Sequence, residues 1–523
     1  MSSELEFREH LVPTFSQPDE DAHFLASARG LYTYSHLARF ERFLLQFLND
    51  YGYDPGGERP VGFLSHSSDE LIFALAACWR LGFTFCCVDA NAAPSEQKKQ
   101  LERLNPGLLF YDQEHMDQAP VTGSVPMSNL KLEEVLERTF NMTTSVEKRR
   151  EAIDTEDVFA KFLTSGTSGP PKIVPLKRRQ MLYAARASAR NFRPDPGHFW
   201  LLCLPLNHVG GISIVLRSLL YGSGIYRMDG FDQEMVSTFL NENTLFQAAS
   251  LVPTMLKRLL EIPAFRTHRG FKAILLGGGP IDPALLRQAT EKGIPIVPSY
   301  GMTETCAQIA ANHIQKPSGV YVPFQSVGAI FAPNEMEIRD REGEKVPPND
   351  SGTIWLRGPQ VFDGYLDDGE GGASAAGDGD DAPSRTGGEG SFDAERWFNT
   401  GDYGHLNIHG QLIVEARRTD LIITGGENVS PHEVESALVK LEGIAEAAVI
   451  GLPDEEWGQR VVAAVVTRDG KELDPEAVRE ALGQNMSEFK IPKELLAVDA
   501  LPHTPSGKIK RKDVIALFKS NKS

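Results

Sequence analysis

The chain has 523 residues, of which 41% are hydrophobic and 24% charged, and its formal net charge is −18. This length exceeds what one hydrophobic core serves and predicts about two to four folding units. The acidic balance argues against a nucleic-acid partner, which would need a basic face. No apolar run approaches the roughly 18 residues of a membrane span.

The N-terminus and the cysteines favour a cytoplasmic location. The first residues, M-S-S-E-L-E-F-R-E-H, lack the basic and then apolar order of a signal peptide. The cysteines show no metal-ligand spacing: Cys78, Cys86, Cys87, Cys203 and Cys306. Reduced thiols in the cytoplasm are the simplest interpretation. The oligomeric state stays open.

The first third of the chain predicts a parallel sheet. Residues 61–64 and 83–88 are apolar runs, and between them S-S-D-E opens a helical pattern that continues to Leu81. Such a βαβ unit implies parallel, buried strands.

The stretch 164–172, T-S-G-T-S-G-P-P-K, follows an apolar strand at 158–163 and predicts a phosphate-binding loop. Glycines let backbone N–H groups turn inward together, small hydroxyls add donors, and the lysine adds a positive charge. It is not a Walker A loop, because the G-x-x-x-x-G-K-[ST] spacing is missing. Taken alone, such a tract is more often an ordinary flexible loop than a phosphate-binding one.

Strands and helices alternate further along the chain. Apolar runs at 199–204, 243–252 and 272–276 are each followed by a helical pattern or a glycine turn. This alternation predicts an α/β fold with two related layers. Residues 327–357 then predict a small β-rich subdomain.

The last part of the chain contains a low-complexity stretch and a separate small domain. Residues 367–391 are rich in Gly, Ala, Asp, Glu and Ser, which predicts a disordered surface insertion without a catalytic role. The mixed helices and strands after residue 419 have the size of a small α+β domain. We therefore predict domains at 1–418 and 419–523, with the boundary at Thr419–Asp420.

Several motifs occur in a fixed order that resembles the adenylate-forming superfamily of acyl-CoA synthetases. They are the loop at 164–172, G-G-G-P at 277–280, Y-G-M-T-E-T at 300–305, T-G-D at 400–402, Arg417, and P-x-T-P-S-G-K-I around Lys508. The resemblance covers most of the chain. It implies a carboxylic acid, ATP and CoA as substrates, with Mg²⁺, and a mobile C-terminal domain.

The resemblance also assigns roles to single residues. It implies that the phosphates of ATP are bound by Thr164, Ser165, Gly166, Thr167, Ser168, Gly169 and Lys172. It implies that adenine is bound by Gly277, Gly278, Gly279, Tyr300 and Gly301, and that the α-phosphate is contacted by Thr303. It further implies that Glu304 binds Mg²⁺ and that Asp402 and Arg417 contact the ribose. Gly425 and Gly426 would line the pantetheine tunnel, and Lys508 would stabilise the charge that develops at the α-phosphate. Each residue alone also fits a structural or surface role, such as a solvated basic tail for Lys508.

Four longer stretches resemble the o-succinylbenzoate–CoA ligase branch of the superfamily, which acts in menaquinone biosynthesis. They are L-P-L-N-H-V-G-G, L-L-G-G-G-P, Y-G-M-T-E-T-C-A-Q and R-R-T-D-L-I-I-T-G-G-E-N-V-S-P-H-E-V-E. The substrate of that branch has a second, aromatic carboxylate, for which Arg217 is our candidate partner. An arginine that extends to solvent is the alternative.

Three further positions bear on this branch. His208 resembles the gate residue beside the acyl pocket, although a structural histidine is equally compatible. Asn207 stands where many relatives carry an aromatic residue, and Thr419 occupies the hinge position where Asp or Lys is usual.

Competing functions remain at this point. A ligase for another aryl or fatty acid shares every ATP motif, and a luciferase-type oxygenase would also adenylate its substrate. A non-enzymatic nucleotide-binding module is disfavoured because Glu304 and Lys508 are both present. A peptide-synthetase module is disfavoured because the chain ends fifteen residues after Lys508.

Overall fold

The computed structural model describes most of the chain. The described residues are 19–53, 59–119, 123–140, 146, 150–151, 153–164, 172–191, 193–279, 281–314, 326–366, 392–417, 422–424, 427–454, 457–468, 473–484, 486, 488–503 and 509–520. The low-complexity stretch at 367–391 lies outside them, so its predicted disorder stays a prediction. None of the helices in the described ranges is long and apolar enough to cross a membrane.

The helices and strands have the following bounds. The α-helices of the described residues are α1 (Tyr34–Asp50), α2 (Asp69–Leu81), α3 (Pro94–Leu104), α4 (Leu132–Arg138), α5 (Arg178–Asn191), α6 (Val209–Tyr221), α7 (Gln233–Glu242), α8 (Pro253–Glu261), α9 (Pro283–Glu291), α10 (Pro431–Val439), α11 (Pro475–Gly483) and α12 (Arg511–Ser520). The strands are β1 (His23–Ser27), β2 (Gly30–Thr33), β3 (Val61–Leu64), β4 (Phe85–Cys87), β5 (Leu108–Tyr111), β6 (Ser124–Pro126), β7 (Val158–Leu163), β8 (Ile173–Lys177), β9 (Phe199–Leu202), β10 (Gly224–Arg227), β11 (Phe246–Leu251), β12 (Ala273–Leu276), β13 (Ile296–Met302), β14 (Ala307–Ala311), β15 (Ala329–Ile330), β16 (Glu335–Arg339), β17 (Gly352–Arg357), β18 (Phe398–Leu406), β19 (Leu412–Arg417), β20 (Ile422–Thr424), β21 (Glu427–Val429), β22 (Ile444–Asp454), β23 (Gly458–Thr467) and β24 (Glu494–Ala497).

The chain divides into two compact units. The first contains residues 1–278, 283–335 and 357–383, and the second contains residues 279–282, 336–356 and 384–523. Residues 418–421, where the sequence predicts the domain boundary and hinge, lie outside the described residues. The boundary therefore stays a prediction.

One sheet of the first unit has the strand order β6-β5-β3-β4-β7-β8. Neighbouring strands are parallel except for β7 and β8, which are antiparallel. Helix α2 begins after Ser68, whose hydroxyl accepts a hydrogen bond from the backbone N–H of Leu71, as an N-cap should. The predicted βαβ unit at 61–88 is confirmed by the parallel pairing of β3 with β4.

The second sheet of this unit has the order β15-β14-β13-β12-β11-β9-β10-β1-β2. Its central strands are parallel, and antiparallel strands lie at both edges. Helix α8 starts at Pro253, where the missing N–H costs no helical hydrogen bond. The two sheets with their helices confirm the predicted α/β layers.

The second unit is richer in antiparallel strands. One sheet has the order β16-β17-β18-β19, and another has the order β21-β20-β23-β22 with β24 beside β23. Apolar side chains of β22 and β23 alternate between two cores, one of them under α10 and α11 and the other under α12. The β-rich subdomain and the small C-terminal α+β fold are thus confirmed as structural classes.

Candidate active site

The ends of the predicted phosphate loop are joined by hydrogen bonds. The backbone N–H of Thr164 donates to the carbonyl of Lys172 at 2.9 Å, and the N–H of Lys172 donates to Thr164 Oγ1 at 3.3 Å. These bonds continue the antiparallel ladder of β7 and β8. The five loop residues between them that we assign to phosphate lie outside the described residues: Ser165, Gly166, Thr167, Ser168 and Gly169.

A tight turn follows β13 and carries the Y-G-M-T-E-T sequence. Gly301 is required there, because a Cβ at this position would lie 1.8 Å from the carbonyl oxygen of Ala307. Cys306 and Ala307 have positive φ values of 52° and 72°, which residues other than glycine rarely adopt. Thr305 Oγ1 fixes the turn, accepting from the N–H of Met302 at 3.0 Å and donating to Ala307 at 2.8 Å. Strained backbone of this kind is common at functional sites.

The carboxylate of Glu304 is buried beside this turn and is held by Tyr365. The Tyr365 hydroxyl donates to Glu304 Oε1 at 2.7 Å, and the ammonium of Lys172 lies 4.5 Å from the centre of the Tyr365 ring. Tyr365 therefore connects the end of the phosphate loop to Glu304 within the first unit. Sequence reasoning missed Tyr365, since nothing in D-G-Y-L indicates a partner 61 residues away.

The three glycines after β12 leave bare backbone at a strand end. A Cβ on Gly277 would lie 2.8 Å from Ser299 Oγ, and Gly278 has a φ of +79°. Both positions thus disfavour any side chain. Tyr300 is buried in the neighbouring strand β13, with 8% of its surface exposed. This arrangement suits the adenine role that we predict for these residues.

Arg217 is fully buried in α6, with 0% of its surface exposed. All three guanidinium nitrogens lack a hydrogen-bond partner among the described residues. The Trp200 ring lies 5.9 Å from its Cζ, close enough for a cation–π contact. Burial lowers the pKa of Arg217. Burial also raises the pKa of the two nearby weak acids, Tyr221 and Cys306, to about 12, so neither supplies a negative charge at neutral pH. The alternative of an arginine extending to solvent is therefore wrong.

Cys306 directly follows the turn that holds Glu304, and it lies near enough to Arg217 for each group to affect the pKa of the other. The buried thiol of Cys306 lies 3.7 Å from Met181 Sδ. An unpaired cation in such surroundings is costly unless an anion joins it. The guanidinium of Arg217, unpartnered among the described residues, is therefore a candidate contact for an anionic group of a ligand.

Gln308 is a second buried polar side chain that sequence reasoning missed. Both its Oε1 and its Nε2 lack a hydrogen-bond partner among the described residues, although only 4% of the residue is exposed. The available signal was one amide in the apolar strand A-Q-I-A-A. Buried amides are normally hydrogen-bonded, so Gln308 is a candidate for ligand contact.

His208 and Asn207 lie at the start of α6. His208 is the N-cap residue and is exposed, while Asn207 is half-buried. The chain packs tightly at this point, since a Cβ on Gly211 would lie 2.2 Å from the carbonyl oxygen of Pro205. Arg217 lies nine positions after His208, which corresponds to a rise of about 14 Å along the helix.

The second unit brings the two predicted ribose residues together. Asp402 in β18 and Arg417 in β19 are directly opposed Cα partners in the antiparallel ladder. Asp402 is buried, with 8% of its surface exposed, and its N–H donates to Thr400 Oγ1 at 3.1 Å. Four other predicted positions lie outside the described residues: Thr419, Gly425, Gly426 and Lys508.

Two family models match the chain. The model described as AMP-binding enzyme matches residues 15–366, and the model described as AMP-binding enzyme C-terminal domain matches residues 433–508. Together they cover the elements that carry most of the predicted motifs.

Curated relatives and solved structures agree with these matches. The 2-succinylbenzoate–CoA ligase of Enterococcus faecalis is 33% identical over 455 residues, which cover 86% of this chain and 87% of that protein. The o-succinylbenzoate CoA synthetase (MenE) of Bacillus subtilis, solved with its acyl-adenylate intermediate OSB-AMP, is 28% identical, with a TM-score of 0.79 and coverage of 96% and 97%. The same enzyme with ATP and a magnesium ion is 27% identical, with a TM-score of 0.79 and coverage of 97% and 99%.

Proposed function

The chain belongs to the AMP-binding enzyme family, and on this basis we propose that it is an o-succinylbenzoate–CoA ligase of menaquinone biosynthesis. It is an ATP-dependent acid–thiol ligase that forms an acyl-adenylate and transfers the acyl group to CoA. We place it in the cytoplasm, where its five cysteines, all free, stay reduced.

In the first half-reaction a carboxylate oxygen attacks the α-phosphorus of ATP, and pyrophosphate leaves. Residues 164–172 hold the phosphates, and Thr303 donates to the α-phosphate. Lys508 stabilises the charge that develops as the bond to pyrophosphate breaks. Tyr365 orients the carboxylate of Glu304 through its 2.7 Å hydrogen bond.

The carboxylate of Glu304 suits a magnesium ion, since Mg²⁺ takes oxygen ligands. It is buried and held in place by a neutral phenol donor, so it offers a fixed negative oxygen. The bound ion would neutralise part of the charge on the phosphates of ATP. Adenine lies against residues 277–279 and Tyr300, and ribose binds Asp402 and Arg417.

In the second half-reaction the thiolate of CoA attacks the acyl carbon, and AMP leaves. We propose that the C-terminal domain turns about Thr419–Asp420 between the two steps, which withdraws Lys508 and brings Gly425 and Gly426 to the pantetheine path. A few residues that absorb a large φ/ψ change between rigid bodies are sufficient for such a motion. His208 gates the acyl pocket.

Arg217 is the observation that favours o-succinylbenzoate over other acids. A fatty acid or benzoate has one carboxylate, which is consumed in the reaction, and would leave the buried guanidinium unpaired. The aromatic carboxylate of o-succinylbenzoate supplies the missing anion. Charge-assisted hydrogen bonds to a buried guanidinium are among the stronger polar interactions.

The test is pyrophosphate release with Mg·ATP and CoA. The acids to compare are o-succinylbenzoate, 4-oxo-4-phenylbutanoate, benzoate, a short fatty acid and a medium-chain fatty acid. The second acid is the matched control, because it differs from the first only by lacking the aromatic carboxylate. We expect kcat/KM for o-succinylbenzoate to exceed that for the control by about 100-fold or more.

Other outcomes separate the alternatives. Equal rates with o-succinylbenzoate and 4-oxo-4-phenylbutanoate would contradict the proposal that Arg217 binds the aromatic carboxylate. Release only with a fatty acid or benzoate would keep the ligase mechanism and discard the menaquinone assignment. Oxygen uptake after adenylation would indicate a luciferase-type enzyme.

A further inference from the structure

Two neighbouring strands of the six-stranded sheet end beside a pair of histidines. Strands β3 and β5 are parallel, with Leu64 opposite Tyr111. The carboxyl ends of parallel strands meet at one edge of a sheet, so the segments that follow them lie side by side. His66 follows β3, while Glu114 and His115 form part of the short 3₁₀ turn Gln113–His115 after β5.

These three side chains converge. Glu114 Oε1 lies 2.8 Å from His66 Nε2 and 3.6 Å from His115 Nε2. One ligand atom from each residue can be chosen so that all three lie within 4.8 Å of one another. Ligands of a tetrahedral zinc ion, at about 2.0–2.2 Å from the metal, are themselves a little over 3 Å apart. His66 and Glu114 are exposed and can make the remaining small adjustment.

The backbone around the three residues is held by one aspartate. Asp112 Oδ2 accepts from the N–H of His66 at 2.8 Å, and Asp112 Oδ1 accepts from Ser65 Oγ at 3.1 Å. The carbonyl of Asp112 accepts from the N–H of His115 at 2.8 Å. Both histidines are therefore fixed to the same residue, which limits the reorganisation that ion binding would need.

His115 supplies the second observation that points to a ligand. Its side chain is nine-tenths buried, with 10% of its surface exposed, and yet Nε2 has no hydrogen-bond partner among the described residues. Buried polar atoms are normally satisfied, and each exception needs an explanation. A metal ion bound at Nε2 would provide the missing partner.

We propose that His66, Glu114 and His115 form a binding site for a divalent transition-metal ion such as Zn²⁺. Two imidazoles and one carboxylate suit zinc, and they leave a fourth position open to water or a small ligand. Magnesium is disfavoured, since it prefers oxygen ligands only. The site is separate from the magnesium position proposed at Glu304.

Sheet topology places this site on the same edge as the predicted phosphate loop. Strand β7 runs parallel to β4 and ends at Leu163, just before that loop. In the order β5-β3-β4-β7, β3 lies two strands from β7, a distance of about 10 Å. A bound ion would join the ends of β3 and β5 and stabilise that edge.

The test uses the full chain without a tag, freed of metal with a chelator and then held in excess Mg²⁺. Zn²⁺ affinity is measured by competition with a chromophoric chelator, and Co²⁺ reports geometry through the visible absorption of tetrahedral sites. We expect His66→Gln and Glu114→Gln each to weaken Zn²⁺ binding at least about tenfold and to abolish the tetrahedral Co²⁺ spectrum. Both side chains are exposed, so these variants avoid disturbing the core.

The matched control is His409→Gln, which removes an exposed imidazole elsewhere in the chain. It should bind Zn²⁺ as the unchanged protein does. Zn²⁺ should also raise the Tm of the unchanged protein and of His409→Gln, but not that of His66→Gln. Zn²⁺ affinity that is the same in all variants, or that falls equally in the control, would overturn the proposal.

Discussion

Two buried arginines of the first unit have opposite surroundings. Arg227, at the end of β10, donates from Nε to Asp69 Oδ1 at 2.6 Å and also forms an ion pair with Asp229. The guanidinium of Arg217, in α6, has no hydrogen-bond partner among the described residues. Burial favours a lower pKa for both, but hydrogen bonds to Asp229 and Asp69 raise the pKa of Arg227, whereas the pKa of Arg217 is lowered.

The difference separates a structural charge from one suited to a ligand. Asp69 is completely buried at the start of α2 and accepts a further hydrogen bond from Ser27 at 2.7 Å, so the Arg227 pair joins three elements. A buried pair of this kind is satisfied within the fold. Arg217 is also buried but its guanidinium lacks such a partner among the described residues, which is why we propose that it serves substrate binding and not stability.

The largest expected effect is on stability, at the paired arginine. Arg227→Met leaves the Asp69 carboxylate buried and unpaired, which should destabilise the first unit by about 3–5 kcal/mol. Differential scanning calorimetry of the ligand-free chain can follow this as a fall in Tm. The double variant Arg227→Met with Asp69→Asn should recover part of the loss. If the single variant keeps its Tm, the pair does not hold the fold.

Arg217→Met should have the opposite effect, because it should lower activity without lowering stability. Removing an unpaired buried cation leaves the Tm of the free protein unchanged or higher, since an apolar side chain of similar volume suits the site. The value of kcat/KM for o-succinylbenzoate should fall about 100-fold, or about 2.7 kcal/mol. The rate with 4-oxo-4-phenylbutanoate should stay the same, and a parallel loss with that acid would indicate a general disturbance of the pocket.

Strongly periodic elements could be read from the sequence with good accuracy. The apolar run at 158–163 coincides with β7, and the strand–helix–strand pattern at 61–88 corresponds to β3, α2 and β4. Local rules suffice there, because apolar patterning and capping residues act within a few positions. The predicted fold class and the ligase class are confirmed, whereas the roles of single site residues stay predictions.

Pairings between distant residues could not be read in this way. Tyr365 meets Glu304 across 61 positions, and His66 meets Glu114 only because β3 and β5 are neighbours in a sheet whose order differs from the chain order. The burial of a single polar side chain could not be predicted from the sequence either. The sequence allowed Arg217 to face either solvent or the interior, and only the packing of α6 decides between them.

The smallest expected effect concerns two buried glutamines, one with and one without hydrogen-bond partners in the described part of the chain, which form an uncharged counterpart to the two arginines. Gln308 and Gln360 are both buried. Gln360 Nε2 donates to the carbonyl of Thr305 at 2.8 Å, whereas the amide of Gln308 has no partner among the described residues. An unsatisfied buried amide costs about 1–3 kcal/mol, so Gln308→Met should raise the Tm slightly while Gln360→Met lowers it.

The same pair of variants also tests ligand contact. If the Gln308 amide meets the substrate, Gln308→Met should lower kcat/KM for o-succinylbenzoate about tenfold, the value of one neutral hydrogen bond of about 1.4 kcal/mol. Calorimetry and pyrophosphate release on both variants provide the measurement. A Tm that falls in Gln308→Met as far as in Gln360→Met would mean that the amide is needed by the fold. In that case, a buried polar group without a hydrogen-bond partner would indicate ligand contact at Arg217 but not at Gln308.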